Sequence, residues 1–217
     1  MTALLRYQAA NLFRSQRWIF PLIAYALLIS VGGAGSGGQS VSDGLDWSAA
    51  ILVPVMALLT RSMLTAEPAA ARACVSAATS PPRAQLATLL TAFAAGALLG
   101  LAGAGYELVV SGHKGPLLVP FAAGLGKALV CALVGSAIGT LFNPPLIRHP
   151  AAALLSTITA VVVAWVSSIS PANAALHGSG AAIQSSAWPS GAPLLAGLAL
   201  LAVSWTASCW LAGRRSG

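Results

Sequence analysis

The sequence predicts an all-α integral membrane protein with six transmembrane helices, and three observations support this fold class. Hydrophobic residues make up 57% of the chain and charged residues only 7%, whereas soluble domains carry about 25% charged residues. Six apolar stretches approach the ~20 residues that a spanning helix needs. The gaps between them are alternately arginine-rich and acidic, which is the pattern of loops on the two sides of a membrane.

The predicted spans follow one another with short connections. They cover about residues 18–35, 47–64, 85–105, 117–142, 151–169 and 193–211. The second span has the shortest charge-free part, and we expect Arg61 near its inner end to snorkel toward the headgroups. Because no gap approaches the ~50 residues of the smallest stable domains, residues 1–217 are predicted to form a single transmembrane domain.

The arginines fix the predicted topology, because cytoplasmic loops accumulate Lys and Arg. All nine can lie on one side of the membrane: Arg6, Arg14, Arg17, Arg61, Arg72, Arg83, Arg148, Arg214 and Arg215. The opposite loops, about 36–46, 106–116 and 170–192, hold Asp43, Asp46, Glu107 and the single cation Lys114. We therefore expect a multi-pass protein of a plasma membrane with both termini cytoplasmic. The Ala- and Arg-rich composition favours a bacterial source.

The net charge of +7 follows from the same rule, so no nucleic-acid partner is predicted. Residues 2–17 precede the first span and are not apolar enough to cross. On a helix, Arg6, Arg14 and Arg17 fall within about 80° of each other. This pattern predicts an amphipathic helix anchored in the inner headgroup layer, in contact with membrane lipid. It serves either as a basic anchor alone or as an additional contact surface.

The inner loop 65–84 predicts a short cytosolic helix between the second and third spans. Thr65 is a candidate N-cap, Pro68 stands near the first helical position, and Glu67 lies beside the positive end of the helix dipole. The Ala-rich sequence that follows carries Arg72. This helix is either a docking site for a soluble partner or a plain connector.

The sequence Ser80-Pro81-Pro82 is predicted to end this cytosolic helix and to start the third span. Arg61 and Arg83 flank the segment on its two sides. The last outer loop, 170–192, is long and rather apolar, with Ile183 and Trp188. We expect it to dip back into the outer leaflet, where the backbone must be helical or buried in protein.

Residues for catalysis or metal binding are scarce, and no catalytic or cofactor site is predicted. Neither a Walker-type phosphate loop, nor HExxH, nor GxSxG occurs, so the chain has no standard nucleotide or zinc-protease motif. The four carboxylates are all assigned to loops. The histidines and cysteines are scattered without metal-ligand spacing: His113, His149, His177, Cys74, Cys131 and Cys209. The chain is therefore not expected to be an enzyme.

Lys127 is the one ionisable residue predicted to lie deep within a span. A charge at membrane depth is costly, and such a residue is by default a functional candidate. Lys127 either faces a polar pathway or snorkels toward the outer surface. Gly124 and Gly126 beside it would allow another backbone to approach closely.

Two GxxxG patterns predict close helix packing, because small residues let helices approach each other in lipid. Gly96 and Gly100 lie in the third span, and Gly135 and Gly139 lie in the fourth. These glycines pack either within the bundle or against a second copy of the chain.

Taken in order, these elements resemble the permease subunit of ABC-2 type transporters. The opening LLRYQAANLFRSQRWIFPLI, residues 4–23, looks like the start of such permeases. The segment from Glu67 through SPPR, residues 80–83, looks like the coupling region of that family, with an acidic residue, a helix, a proline and a basic residue before the third span. The resemblance covers almost the whole chain as an order of elements.

The resemblance implies a six-span permease that forms a translocation pathway with a second, identical or paralogous permease subunit. Two separate ABC ATPase subunits, which bind ATP and Mg, would dock under the coupling region 66–83 and drive export of an amphipathic small molecule, peptide or lipid. It implies coupling roles for Glu67, Arg72, Ser80 and Arg83, and a place for Lys127 along the pathway. The alternatives are an ATP-independent secondary transporter or channel-like protein, and a lipid-modifying membrane enzyme.

Overall fold

The computed structural model describes residues 2–35, 41–111, 118–142, 147, 149–177 and 191–214. Within these residues the chain is all-helical, with no strand. The helices are α1 (Thr2–Ser15), α2 (Ile19–Gly35), α3 (Val41–Leu64), α4 (Ala69–Thr79), α5 (Pro81–Val110), α6 (Leu118–Leu141), α7 (Pro150–Val166), α8 (Pro171–His177) and α9 (Gly191–Arg214).

Five of the helical segments are long and apolar enough to cross a membrane: α3, α5, α6, the combined segment 151–177, and α9. A sixth is obtained if α1 and α2 are taken together, although they bend by 72° at their junction. The chain is therefore all-α with five or six helices that can span a bilayer. The sharp bend separates α1 from the apolar α2, as the predicted N-terminal helix requires.

Helix α3 is the centre of the bundle. It packs against α2, α5, α6 and α7, and it is the most buried of the candidate spans. The segment 151–177 and α9 are the least buried, and their exposed apolar side chains suit contact with lipid. A helix that is hydrophobic all round and buried on all sides is the expected core of such an assembly.

Glycines set the distance between α3 and α6. A Cβ atom on Gly135 would lie 2.5 Å from the Val53 carbonyl oxygen, and one on Gly139 would lie 2.7 Å from the Ala57 carbonyl oxygen. Both contacts are to backbone atoms, which cannot be relieved by rotating a side chain. The contacts advance in the same direction along both helices, from Gly135 and Val53 to Gly139 and Ala57. Helices α3 and α6 therefore run parallel.

The other GxxxG pair joins α5 to α3. A Cβ on Gly96 would clash with the Met56 side chain, and one on Gly100 would lie 2.9 Å from a methyl carbon of Leu52. All four GxxxG glycines are thus occupied within the chain, and the alternative that they contact a second copy is wrong. Because Gly96 lies at Met56 and the later Gly100 lies at the earlier Leu52, α5 runs antiparallel to α3.

The arginines of α3, α5 and α9 lie at one end of the bundle, and the acidic residues of α3 and α5 lie at the other. The arginine end is defined by Arg61 in the last turn of α3, Arg83 at the start of α5 and Arg214 in the last turn of α9. Gln85 donates to the Ser208 hydroxyl at 3.0 Å there, which ties α5 to α9. The acidic end is defined by Asp43, Asp46 and Glu107, at the first turns of α3 and the last turn of α5.

Two of the predicted outer-loop assignments are wrong. The third helix begins at Val41 and α5 continues to Val110, so Asp43, Asp46 and Glu107, predicted in the loops 36–46 and 106–116, lie inside candidate spans. Thr65 is also not the N-cap of α4, because its hydroxyl donates back to the Arg61 carbonyl at 2.9 Å and α4 begins at Ala69. Hydrogen bonding and packing at these helix ends extend the helices beyond their apolar stretches.

The fifth predicted span also extends further than expected. After a break at residues 167–170 the chain forms α8, which packs against α3, α6, α7 and α9. Ala172 and Ala175 in α8 are 0% and 2% exposed. The first part of the predicted outer loop 170–192 is therefore helical and buried in protein. Ile183 and Trp188 lie outside the described residues, as do Arg148, Arg215, His113 and Lys114.

We expect Gly135→Ala to destabilise the chain by about 1–3 kcal/mol, because the new methyl group would overlap the Val53 backbone and force α3 and α6 apart. The measurement is thermal denaturation of the purified protein in a mild detergent. Gly105→Ala is the matched control, since a Cβ at Gly105 in α5 meets no atom within 4 Å. Equal melting temperatures for the two variants would contradict the close α3–α6 contact.

Candidate functional site

The most distinctive chemical feature is an ion pair between the two helices that pack most closely. Lys127 of α6 forms a salt bridge with Asp46 of α3. The Lys127 side chain is 4% exposed and the Asp46 side chain is 29% exposed. The Leu45 side chain occupies the space that a side chain at Gly124 would need. Helices α3 and α6 are therefore in contact one turn before Lys127. The packing of these helices therefore brings the two charges together.

This geometry bears on the two interpretations of Lys127. Its ammonium contacts a carboxylate on a neighbouring helix and its side chain is 4% exposed, whereas a snorkelling lysine keeps its ammonium in water. Isolated charges are strongly disfavoured in a low-dielectric interior, and each member of this pair makes the burial of the other tolerable. A role along a pathway stays a prediction, but the residue is now known to be paired and buried.

Helix α8 lies over the seam where the pair forms. It packs against both α3 and α6, and His177 at its end interacts electrostatically with Asp46. Asp43, one turn before Asp46, is exposed and also interacts with it. Cys131 follows Lys127 by one turn and is fully buried. No group of three or more side chains in the described part of the chain could hold a metal ion.

A second buried carboxylate, Glu107, lies on another side of α3. Its Oε2 is 2.6 Å from where a Cβ on Gly44 would stand, while Gly44 and Asp46 point about 200° apart around the helix. Glu107 is 3% exposed, and its Oε1 has no hydrogen-bond partner among the described residues. Carboxylates therefore do occur within the candidate spans, contrary to the sequence-based expectation.

At the arginine end, α1 is bound to the turn that precedes α4. Gln8 donates from Nε2 to Glu67 Oε1 at 3.0 Å, and Gln8 is 1% exposed. Tyr7 also hydrogen-bonds with Glu67. Partial burial and then the negative charge of Glu67 raise the pKa of the Tyr7 phenol. Glu67, predicted to act toward a partner, is thus engaged with the N-terminal helix.

The predicted anchor residues have different surroundings. Arg6 and Arg14 are exposed on α1, as a headgroup contact requires. Arg17 is also exposed, but its Nη1 donates to the Thr65 carbonyl at 2.8 Å. The corner between α1 and α2 is therefore attached to the same turn that Gln8 contacts, and α1 is held at two points.

The other predicted coupling residues lie on or next to α4. Ser80 forms the corner between α4 and α5 with φ at 98°, a conformation that costs a non-glycine residue of order 1–3 kcal/mol. Its side chain makes no capping hydrogen bond. Arg83 follows in the first turn of α5 and is exposed. Arg72 lies on α4, and its side-chain surroundings are outside the described part of the structure.

Sequence reasoning missed Gln8, Asp46 and Glu107. A signal existed for Gln8, because it shares one helical stripe with Leu5 and Leu12, and a polar residue on an apolar stripe needs a buried partner. A weaker signal existed for Asp46, which directly precedes an apolar stretch that was short for a span. No local signal indicated which cation Asp46 would meet.

Comparisons with family models, with curated proteins and with solved structures find no match for this chain. Any functional conclusion therefore rests on the residues and their arrangement.

We expect Asp46→Leu alone to destabilise the protein by about 3–5 kcal/mol, because it leaves the Lys127 charge buried without its partner. The double variant Asp46→Leu with Lys127→Met should recover most of the wild-type stability, since a well-packed apolar pair of similar volume often replaces a buried ion pair without loss. The measurement is thermal or chemical denaturation in detergent. A double variant that is as unstable as Asp46→Leu would contradict this account.

Proposed function

We propose that this chain is the membrane-spanning permease subunit of an ATP-driven ABC-2 type exporter. The observation that carries the proposal is the attachment of α1 to Glu67, directly before the short helix α4. An N-terminal helix and a short helix between two spans, bound to each other at the arginine end, form a surface on which a soluble motor can act. The resemblance in residues 4–23 and 67–83 supports the same assignment.

The packing of the bundle supports a route by which such a motor would act on the spans. Helix α4 connects α3 to α5, and α5 packs against α1, α3, α4, α6 and α9. A displacement of α4 would therefore be passed to α5 and to the central helix α3. The strained corner at Ser80 is a position where a change of angle could relieve strain.

The remaining parts of the proposal come from the charge asymmetry of the sequence and from the family resemblance. The arginine end faces the cytoplasm of a bacterial cell, with both termini on that side, as the positive-inside rule favours. Two permease subunits, identical or paralogous, form the pathway. ATP and Mg bind in the separate ATPase subunits, and the cargo is an amphipathic small molecule, peptide or lipid.

The test co-expresses the chain with an ABC ATPase encoded in its gene neighbourhood. We expect the ATPase to co-purify with the wild-type chain, and the charge reversals Glu67→Arg and Arg72→Glu to reduce ATP hydrolysis by the complex to the level of the ATPase alone. The reason is that Glu67→Arg removes the acceptor of Gln8 and detaches α1 from the turn before α4, whereas Arg72→Glu would present a like charge to a complementary ATPase surface. Hydrolysis is measured on complexes reconstituted in lipid.

Asp43→Arg is the matched control, because Asp43 is exposed and lies at the opposite end of the bundle. It should leave ATPase binding and hydrolysis unchanged. Full coupled hydrolysis by both coupling variants would show that residues 66–83 are not the docking segment. Failure of any neighbouring ATPase to bind the wild-type chain would count against the proposed class.

An ATP-independent secondary transporter is the second candidate, and the Asp46–Lys127 pair favours it. Ionisable residues inside a membrane commonly mark ion or proton pathways. This candidate predicts that the purified chain alone, in liposomes without an ATPase, carries its substrate when a proton gradient is imposed. The ABC exporter proposal predicts no net uphill transport in that experiment.

A further inference from the structure

The Asp46–Lys127 pair is not accounted for by coupling to an ATPase. It lies at the acidic end, whereas α1, Glu67 and α4 lie at the arginine end. Stability alone does not require it either, because an apolar pair of similar volume commonly serves a core as well. A costly charge pair between the two most tightly packed helices is therefore by default a candidate functional site.

The two partners differ in how far water reaches them. The Asp46 side chain is 29% exposed, while the Lys127 side chain is 4% exposed. Asp43, one turn nearer the end of α3, is exposed as well. A ligand arriving from the acidic end therefore meets carboxylates first, and its leading group should be a cation.

Charge balance then restricts the rest of the ligand. A cation that takes the place of Lys127 beside Asp46 leaves a buried ammonium without a partner. Lys127 has almost no contact with water, so water does not take the place of its lost carboxylate. A ligand with a cationic and an anionic group satisfies both residues and leaves the net charge of the site unchanged.

The position of the pair within the bundle indicates that the ligand also has an apolar part. Asp46 and Lys127 both lie in helices that are long and apolar enough to cross a membrane. A ligand whose polar group reaches Asp46 therefore has the rest of its length among apolar helices or lipid, which suits an acyl chain or an apolar side chain.

We propose that the Asp46–Lys127 pair is an exchange site for a zwitterionic amphiphile that carries a primary ammonium and a phosphate or carboxylate. The ligand ammonium replaces Lys127 at Asp46, and the ligand anion replaces Asp46 at Lys127. No covalent bond forms or breaks, and no proton is released. This names the substrate class of the proposed transporter, and in that sense it rests on the proposed function.

The experiment measures ligand-induced thermal shifts on the purified chain in a nonionic maltoside detergent. The probe is lauroyl lysophosphatidylethanolamine. Lauroyl lysophosphatidic acid and dodecylammonium carry one sign of charge only, and glycerophosphoethanolamine has both groups without the chain. We expect the zwitterionic lysolipid to bind at least about a hundredfold more tightly than either singly charged amphiphile, since each of those leaves one buried charge unpaired.

The double variant Asp46→Leu with Lys127→Met is the informative one, because a single substitution can fail to fold for electrostatic reasons alone. It should melt near the wild-type temperature and lose the preference for the lysophosphatidylethanolamine, while Arg14→Gln, at an exposed position on α1 at the arginine end, should retain that preference. An unchanged preference in the double variant would overturn the proposal. So would equally tight binding of dodecylammonium accompanied by proton release, measured in weakly buffered solution.

Binding is measured without an ATPase, so the two proposals fail separately. If the chain binds the zwitterion through the pair but binds no ATPase, the binding site is supported and the exporter assignment is wrong. If an ATPase binds and its hydrolysis is coupled, but the zwitterion preference is unchanged when the pair is replaced, the exporter assignment is supported and the binding site is wrong.

Discussion

The close contact between α3 and α6 is the constraint on which the rest of this structure depends. Gly135 and Gly139 leave room for the backbone carbonyls of Val53 and Ala57, so the two helices approach more closely than side chains would permit. In lipid there is little hydrophobic drive between helices, and close packing of this kind supplies much of the association. The other helices then pack around α3 and α6.

The same contact explains the buried charges. The parallel packing of α3 and α6 brings Asp46 and Lys127 opposite each other. Helix α8 covers the seam above them. Glu107, held against Gly44 on a different side of α3, is a separate feature. The acidic end therefore combines tight packing with polar groups, and ionisable residues within spans are by default functional candidates.

The arginine end is organised differently, by hydrogen bonds between elements outside the bundle core. Gln8 and Arg17 attach α1 to the turn at residues 65–68, and α4 follows that turn directly. Because α4 connects α3 with α5, a force on α1 or α4 would reach the central helices. The two ends are thus linked through α3, which carries Arg61 near one end and Asp46 near the other.

The sequence by itself determined the all-helical membrane character and the approximate positions of the spanning helices, since apolar length and glycine spacing are local properties. It also indicated that Lys127 is unusual and that a short helix follows Glu67. Only the tertiary structure decided the partners: Asp46 for Lys127, Gln8 for Glu67, and α3 for both glycine pairs. Each of these contacts joins residues far apart in the chain, and helix register and direction, which apolar composition does not encode, determine which side chains meet.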